Sequence, residues 1–213
     1  MKKKVSYWAG RAGITLLGVT IVLTAFASLP KHASAAMSLP DRASAAGCPS
    51  GMSCGSYSIP GLGARKQQIL KAGASTLDLA VAMLETNTMQ ATYASGDGKT
   101  TDAANFGIFK QDWYMLRSAC SRFLGLTSSQ YAAGAFLNSS LSTDVACMNQ
   151  SQRHYGLSTW FAGERYGQTG IGHPNTPDIL RYTKAIYWLQ SQLTSHSVNL
   201  SNNTRFWVAV PAI

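Results

Sequence analysis

The chain has 213 residues, with 18 basic and 9 acidic side chains and a formal net charge of +9. Five of the basic residues lie within the first 35 positions, so the remaining part carries 13 basic against 9 acidic residues, a net charge of +4. Because these basic residues are scattered and form no stripe, we expect no nucleic-acid partner, and a neutral or weakly charged partner fits better.

The N-terminus has the pattern of an export signal. Lysines at the start precede an uncharged, mostly apolar run from Ile14 to Ala27, which is shorter than the ~20 residues that a membrane-spanning helix needs. Small residues then predict cleavage after Ala35; the triplet 43–45 is a less favoured site, and an uncleaved anchor is the competing interpretation. We expect a signal peptide over 1–35 and a secreted, extracellular protein with no stable membrane association after cleavage.

Residues 36–213 have the length of one domain with one hydrophobic core, about 178 residues, and contain no internal repeat or long linker. The first part of this domain, residues 36–60, is predicted to be partly irregular. We expect the protein to be a monomer.

Four cysteines in an exported chain indicate two disulfide bonds. The sequence allows three pairings. We favour Cys48 with Cys54, which closes the loop CPSGMSC, and Cys120 with Cys147, which joins two predicted helices. A zinc site is disfavoured because the cysteines are not spaced as two CxxC pairs.

The first two helices are predicted early in the domain. Helix-forming residues run over 62–71, and a second helix begins at Ser75 or Thr76 and ends at Glu85. Because this second helix is apolar on nearly all sides, we expect it to be buried deep in the domain.

A hairpin and a third helix are predicted next. Asp97 and Gly98 form a hairpin-turn signal, and the flanking segments TYAS and KTT are candidates for short strands. Asp102 is a favourable N-cap for a third helix that continues to about Cys120.

The remaining chain is predicted to be helical up to its last segment. Two helices are expected over about 128–137 and 142–154, and a longer one begins at Thr176, with Pro177 in its first turn and apolar residues recurring on one face. The segment TRFWVAV predicts a terminal strand. The expected fold is therefore α+β and mainly α, with a small β-hairpin between helices.

Two carboxylates have settings that favour acid and base roles. Glu85 ends an apolar helix, where burial would raise the pKa of its carboxyl, whereas Asp97 lies on a Gly-flanked turn open to water and stays ionised. Such a pair is typical of sugar hydrolysis. In the alternative interpretation, Glu85 faces solvent and Asp97 is present because Asp-Gly favours a turn.

The stretch AANFGIFKQ, residues 103–111, distinguishes these interpretations. It resembles the motif that follows the catalytic glutamate and a hairpin in lysozyme-like enzymes. The whole run from AMLETNTM to GDGKTTDAANFGIFKQDW is similar to glycoside hydrolase family 134, the lysozyme-like endo-β-1,4-mannanases. The resemblance is densest over 82–117, and STWFAGERYGQTG and the Thr176 helix extend it across most of the domain.

The resemblance implies a lysozyme-like fold and a secreted, endo-acting, inverting β-1,4-mannanase that hydrolyses mannan without a cofactor. It assigns the general acid to Glu85 and the general base to Asp97, which are separated by the same 12 positions as the family's acid and base. One departure is Asp112, where the family has asparagine, and this puts fine specificity in doubt.

Polar and aromatic residues near the pair are candidates for sugar binding. The polar candidates are Asn87, Lys99, Asn105, Lys110, Gln111 and Arg165, and the aromatic candidates are Trp113, Tyr114, Trp160, Phe161 and Tyr166. In the alternative interpretations, Asn87 is a helix C-cap, Lys99 is a solvated turn residue and the aromatic residues belong to the core. Glycines in TWFAGERYGQTG predict a loop lining the cleft. Glu164 within it is the rival carboxylate, or pairs with Arg165 or another nearby basic residue.

Other function classes lack their motifs. The histidines show no metal-site or triad arrangement, there is no nucleophile-elbow pattern, and no Gly-rich phosphate loop follows a predicted strand. Two alternatives to the mannanase stay open. One is a peptidoglycan muramidase or lytic transglycosylase, and the other is a non-catalytic carbohydrate-binding protein with the same fold.

Overall fold

The computed structural model describes residues 47–211. The predicted signal peptide and the first part of the segment 36–60 lie outside these residues. In chain order, the α-helices and strands of the described part are β1 (Cys54–Ser58), α1 (Leu62–Lys71), α2 (Thr76–Glu85), β2 (Asn105–Phe106), β3 (Gln111–Asp112), α3 (Trp113–Ala119), α4 (Phe136–Ser139), α5 (Leu141–Tyr155), α6 (Leu157–Gly172), α7 (Pro177–Ser195) and β4 (Thr204–Val208). Short 3-10 helices cover Ser95–Gly98, Thr101–Ala103, Ser128–Ala135 and Ser197–Leu200. The predicted α+β, mainly α fold is confirmed.

Helix α2 lies at the centre of the core, as its apolar sequence predicts. Its residues Leu79 to Met83 are at most 1% exposed. A reciprocal capping box fixes its start, because Ser75 Oγ accepts from the Asp78 N–H at 3.1 Å and the Asp78 carboxylate accepts from the Ser75 N–H at 2.7 Å. Since the start is fixed, the last residue, Glu85, has a defined position at the far end.

Helix α7 packs against α2 and begins where predicted. Thr176 Oγ1 accepts from the Ile179 N–H at 3.4 Å, and Pro177 is the first helical residue. The face turned to α2 is apolar and buried, and it also carries Tyr182, which is 2% exposed. A polar hydroxyl is thereby placed beside the end of α2. Among residues 47–211, no helix is long and apolar enough to cross a membrane.

The predicted terminal strand is confirmed as β4, and it pairs antiparallel with β1, a strand that the sequence does not predict. The register joins Cys54 with Val208 and Ser58 with Thr204. Phe206 and Val208 contact the core from one face of this small sheet. The two ends of the described chain are thus held together by backbone hydrogen bonds.

The predicted hairpin at Asp97 is wrong in position. Residues 95–98 form a 3-10 turn in which Gly96 and Asp97 have φ values of 68° and 57°, which are incompatible with a strand. The β-hairpin still lies between α2 and α3, but β2 and β3 form it, and they pair Asn105 with Asp112.

The predicted N-cap of the third helix is also wrong. Asp102 is engaged in a two-bond ion pair with Arg117, at 2.6 and 2.7 Å, and Asp112 caps α3 instead by accepting from the Met115 N–H at 3.3 Å. The backbone cannot continue as helix before this point because Lys110 has a φ of 51°.

Both predicted disulfides, Cys48–Cys54 and Cys120–Cys147, are present, with Cα separations of 5.8 and 4.8 Å. The second joins the C-terminal end of α3 to α5. In the chain-entropy view, closing this loop contributes roughly 3 to 4 kcal/mol to the free energy of unfolding.

The glycine-rich segment TWFAGERYGQTG is not the loop that the sequence predicts, because it lies within helix α6. Its glycines allow close packing instead: a Cβ on Gly163 would overlap the Met115 thioether, and one on Gly170 would overlap the Ala162 carbonyl. The helix is kinked at Tyr166 and Gly167, where the φ values are −140° and 56°. The kink turns the end of α6 along the wall of the cleft described next.

Candidate active site

A cleft of about 460 Å³ opens between the C-terminal end of α2, the segment 97–114 and helices α6 and α7. It brings together many of the residues predicted from sequence. Its lining includes Glu85, Asp97, Lys99, Asn105, Lys110, Asp112, Tyr114, Glu164, Arg165 and Tyr166. It also includes Asp102, Gln168 and Tyr182, none of which was predicted to be a site residue.

Glu85 is the last residue of α2 and points its carboxyl into this cleft. Its Oε1 accepts a hydrogen bond of 2.8 Å from Tyr182 Oη. Burial raises the pKa of the Glu85 carboxyl. The hydrogen bond from Tyr182 and the positive charges of Lys110 and Arg165 oppose this rise, and the negative charge of Asp97 adds to it. The arrangement favours a carboxyl that keeps its proton.

The guanidinium group of Arg165 packs against the ring of Tyr182. The Arg165 guanidinium lies 5.6 Å from the centroid of the tyrosine ring. Arg165 is itself fixed by Asp178, through hydrogen bonds of 2.6 and 3.2 Å, and by the Pro211 carbonyl. Burial, and the nearby Glu85 carboxyl, raise the pKa of Tyr182 well above its ordinary value, so the phenol stays a donor.

Asp97 belongs to the 3-10 turn at 95–98, on another wall of the cleft. Its Oδ2 accepts from Lys110 Nζ at 2.8 Å, and both side chains are 24% exposed. The Lys110 ammonium also lies 5.0 Å from the ring centroid of Tyr93. Both partners of the ion pair have positive φ, 57° and 51°, a conformation that costs of order 1–3 kcal/mol for a side-chain-bearing residue. The surrounding structure therefore stabilises a backbone conformation that Asp97 and Lys110 would not favour by themselves.

Two further carboxyls lie close together in the cleft wall. Glu164 Oε2 accepts from the Asp112 N–H at 2.9 Å. Burial raises the pKa of Asp112 to about 7, although the N–H groups of Met115 and Tyr114 oppose the rise. Burial, followed by the Asp112 carboxyl, raises the pKa of Glu164 well above its ordinary value. The predicted pairing of Glu164 with Arg165 is wrong, because Arg165 pairs with Asp178.

Several predicted sugar-binding residues lie away from the cleft. Trp113, Trp160 and Phe161 are at most 1% exposed and belong to the core, so they have no surface to offer a sugar. Asn87 is exposed, but its Oδ1 accepts from Tyr57 Oη at 2.6 Å and from Arg205 Nε at 2.9 Å, on the side of the β1–β4 sheet.

Gln111 is also completely buried, and its position explains the motif NFGIFKQ. Its Nε2 donates to Asp144 Oδ1 at 2.6 Å, and Asp144 Oδ2 accepts from the Ile108 N–H at 2.7 Å. A Cβ on Gly107 would overlap the same carboxylate. The motif thus wraps around Asp144 of α5, which leaves Asn105 and Lys110 directed to the cleft.

Tyr182 is the most important residue that the sequence did not indicate. It occupies the apolar face of α7, where the helical pattern predicts only core packing. Nothing in the sequence signals that its hydroxyl meets Glu85, which precedes it by 97 positions. Among residues 47–211, no cluster of His, Cys, Asp and Glu could hold a metal ion.

Comparison with known proteins identifies the family. No curated protein matches the chain. The family description "Glycosyl hydrolase family 134" matches residues 63–210, which include every residue that lines the cleft. The chain therefore belongs to glycosyl hydrolase family 134 and is a glycoside hydrolase.

Proposed function

We propose that this glycoside hydrolase is a secreted, endo-acting β-1,4-mannanase that works by inversion, with Glu85 as general acid and Asp97 as general base. The observation that carries the proposal is the contrast between two carboxyls in one cleft. Glu85 is half-buried and accepts a hydrogen bond from the Tyr182 phenol, whereas Asp97 is ion-paired with Lys110 and 24% exposed. Two carboxyls in such different surroundings are suited to different roles, one as a proton donor and the other as a proton acceptor.

The roles of the individual oxygens follow from their hydrogen bonds. Glu85 Oε1 is occupied by the Tyr182 hydroxyl, so Oε2 is the oxygen that carries the proton to the glycosidic oxygen. Asp97 Oδ2 is occupied by Lys110, so Oδ1 is the oxygen that takes a proton from the attacking water. In an inverting glycosidase this water approaches the sugar from the face opposite the leaving group.

Further observations support the proposed substrate and the proposed secretion of the protein. Family membership indicates a polysaccharide, and the resemblance over 82–117 favours β-1,4-mannan as that polysaccharide. The N-terminal pattern and two disulfides support secretion. One wall of the cleft carries partly exposed residues of 97–114, among them Lys99, Asn105 and Lys110, which is compatible with a chain that passes through, as endo-cleavage requires.

Proton NMR of manno-oligosaccharides during the first turnovers tests the proposal. We expect the new reducing ends to appear as α-anomers, which would report both the substrate and inversion. Matched oligosaccharides of β-1,4-glucose and of N-acetylglucosamine serve as controls and should stay intact.

Other results would change the assignment. Initial β-anomers would contradict the water-activating role of Asp97 while keeping the substrate. Intact manno-oligosaccharides, together with release of fragments from bacterial cell walls, would favour a muramidase or lytic transglycosylase. Binding of mannan without any cleavage would favour the non-catalytic carbohydrate-binding protein.

A further inference from the structure

The sheet formed by β1 and β4 has an outer face that is distinct from the cleft. In an antiparallel pair, opposite residues share a face, and so do residues two positions apart. Because Phe206 and Val208 contact the core, the alternate residues point away from it. By the register, the outer face carries Gly55 opposite Trp207 and Tyr57 opposite Arg205.

The Trp207 indole lies against Gly55 on this face, in space that a side chain at residue 55 would occupy. A Cβ on Gly55 would lie 2.9 Å from the indole Nε1 and 3.1 Å from Cε2 and Cζ2. The ring therefore covers the glycine, and the residue remains partly exposed. Trp207 is thus a partly exposed aromatic residue on the outer face of the sheet.

Tyr57 supplies a second exposed ring, 45% exposed, on the same face. Its hydroxyl donates to Asn87 Oδ1 at 2.6 Å, and the Arg205 guanidinium lies 6.0 Å from the ring centroid. Arg205 is only 8% exposed and donates to the same Asn87 oxygen at 2.9 Å. The face is thus rigid and aromatic, and its one positive charge is largely covered.

This face continues from the catalytic end of α2. Asn87, which orients Tyr57, follows Glu85 by two residues, so their Cα atoms lie at most ~7 Å apart. The cleft of about 460 Å³ has room for only a short length of a polysaccharide. A longer chain must therefore extend beyond the cleft, and on the α2 side this face offers it two aromatic residues that are not buried, Tyr57 and Trp207.

We propose that Tyr57 and Trp207 form a platform that binds a part of the mannan chain extending beyond the cleft. The proposal rests on the function proposed above, since it takes a neutral β-1,4-linked hexose polymer as the ligand. Hexose rings present apolar C–H faces that stack on aromatic rings, and the adjacent Asn87 and Tyr57 polar groups can bond to hydroxyls. A stable protein partner is a poorer fit, because two rings bury at most ~500 Å², against ~800 Å² for each partner in a typical interface.

The test compares polymeric mannan with a manno-oligosaccharide short enough to occupy the cleft alone. The measured quantity is the ratio of kcat/KM for the polymer to kcat/KM for the oligosaccharide. We expect Trp207→Ala to lower this ratio by roughly 5- to 10-fold, the loss of one good stacking contact. Gly55→Ala keeps the indole but displaces it, so the ratio should also fall. Tyr187→Ala is the matched control, because Tyr187 is 46% exposed on α7 and should leave the ratio unchanged.

Each result decides the matter. If the parent is active and the polymer-to-oligosaccharide ratio of kcat/KM is unchanged in both Trp207→Ala and Gly55→Ala, the platform is wrong and the proposed function stands. A parent inactive on both substrates would overturn the proposed function, and the platform as a mannan site with it. If sedimentation shows a parent dimer that dissociates in Trp207→Ala, the face belongs to a second copy and the platform is wrong. If Trp207→Ala does not fold, Gly55→Ala and Tyr57→Leu make the same comparison.

Discussion

The Tyr182 hydroxyl donates a 2.8 Å hydrogen bond to Oε1 of Glu85, from the buried face of α7 to the half-buried C-terminal end of α2. This contact lies between the two helices at the centre of the core, so the packing of the core determines the orientation of the carboxyl. It occupies one carboxyl oxygen and leaves the other to deliver a proton.

Replacing Tyr182 with phenylalanine should raise the pKa of Glu85. The hydrogen bond lowers that pKa, so its loss leaves the effect of burial less opposed. A general acid works while protonated, and activity is lost as the pH rises through its pKa. The alkaline limb of the kcat/KM profile should therefore move to higher pH, while the maximal kcat falls because the carboxyl is less well oriented. A limb that moves to lower pH would contradict the assignment of Glu85 as the acid.

Glu85→Gln and Asp97→Asn should each lower kcat on mannan by at least ~100-fold, the lower end of what acid or base catalysis contributes. An aryl mannoside with a good leaving group separates the roles. Because such a leaving group needs no protonation, Glu85→Gln should lose much less activity on it than Asp97→Asn does. Near-normal hydrolysis by Asp97→Asn would instead fit an enzyme that works with the glutamate alone, as a lytic transglycosylase does.

Lys110→Met should reduce activity far more than stability. The Lys110–Asp97 ion pair is partly exposed, so its loss should change the free energy of unfolding by less than about 1 kcal/mol. The same change releases Asp97 on a strained turn, and we expect kcat to fall roughly 10-fold or more. Urea unfolding and steady-state kinetics of one preparation measure both quantities, and Lys110→Arg should recover part of the activity. A large loss of stability with unchanged kcat would show that Lys110 is only structural.

Asp112→Asn should change how stability depends on pH. In the folded protein burial raises the pKa of Asp112 to about 7, above the ordinary value of 3.8. The folded state therefore binds the proton more tightly than the unfolded state, and this contribution is fully present below about pH 4 and lost as the pH rises through about 7. Asparagine removes the effect and is an equally good N-cap for α3.

The variant should thus match the parent near pH 4 and exceed it near pH 8, by of order 1–4 kcal/mol in the free energy of unfolding. Urea unfolding at the two pH values measures the difference. An identical pH dependence in parent and variant would show that Asp112 is ionised throughout this range.

Local signals explain what the sequence predicts correctly. The starts of α2 and α7 depend on a capping serine and a Thr-Pro pair, and the depth of α2 on an uninterrupted apolar pattern. The placing of Glu85 and Asp97 in one cleft likewise agrees with the expectation from the sequence.

The misplaced elements depend on contacts between distant residues. Strand β1 has no alternating pattern and forms only because β4 pairs with it. Gly163 and Gly170 are typical of a loop in sequence, yet Gly163 lets α6 pack closely against Met115 of α3, and Gly170 lets the part of α6 after the kink pack against Ala162 of the part before it. In the sequence, Trp113 and Trp160 cannot be distinguished from tryptophans that stack on a sugar. Only the fold shows that they are buried.

The motif around Gly107 shows most clearly how the fold supports the site, and it gives the last prediction. Gly107 has a φ of 75°, and a Cβ there would overlap the carboxylate of Asp144, which also holds Gln111 and the Ile108 N–H. Gly107→Ala should therefore incur two costs, the left-handed backbone at about 1 kcal/mol and the disruption of a buried hydrogen-bond network at ~3 kcal/mol or more. Gly125→Ala is the matched control, because Gly125 has a φ of 83° and no atom near the added Cβ.

Chemical unfolding should place the control about 1 kcal/mol below the parent, and the Gly107 variant several kcal/mol below it. Because the network fixes the segment that carries Lys110, mannan hydrolysis by the folded fraction of the Gly107 variant should also fall, whereas the control should keep it. Equal losses of stability in the two variants would mean that Asp144 moves aside at little cost. The motif would then owe its form to the backbone conformation of Gly107 alone, and the buried carboxylate would not be what positions the cleft.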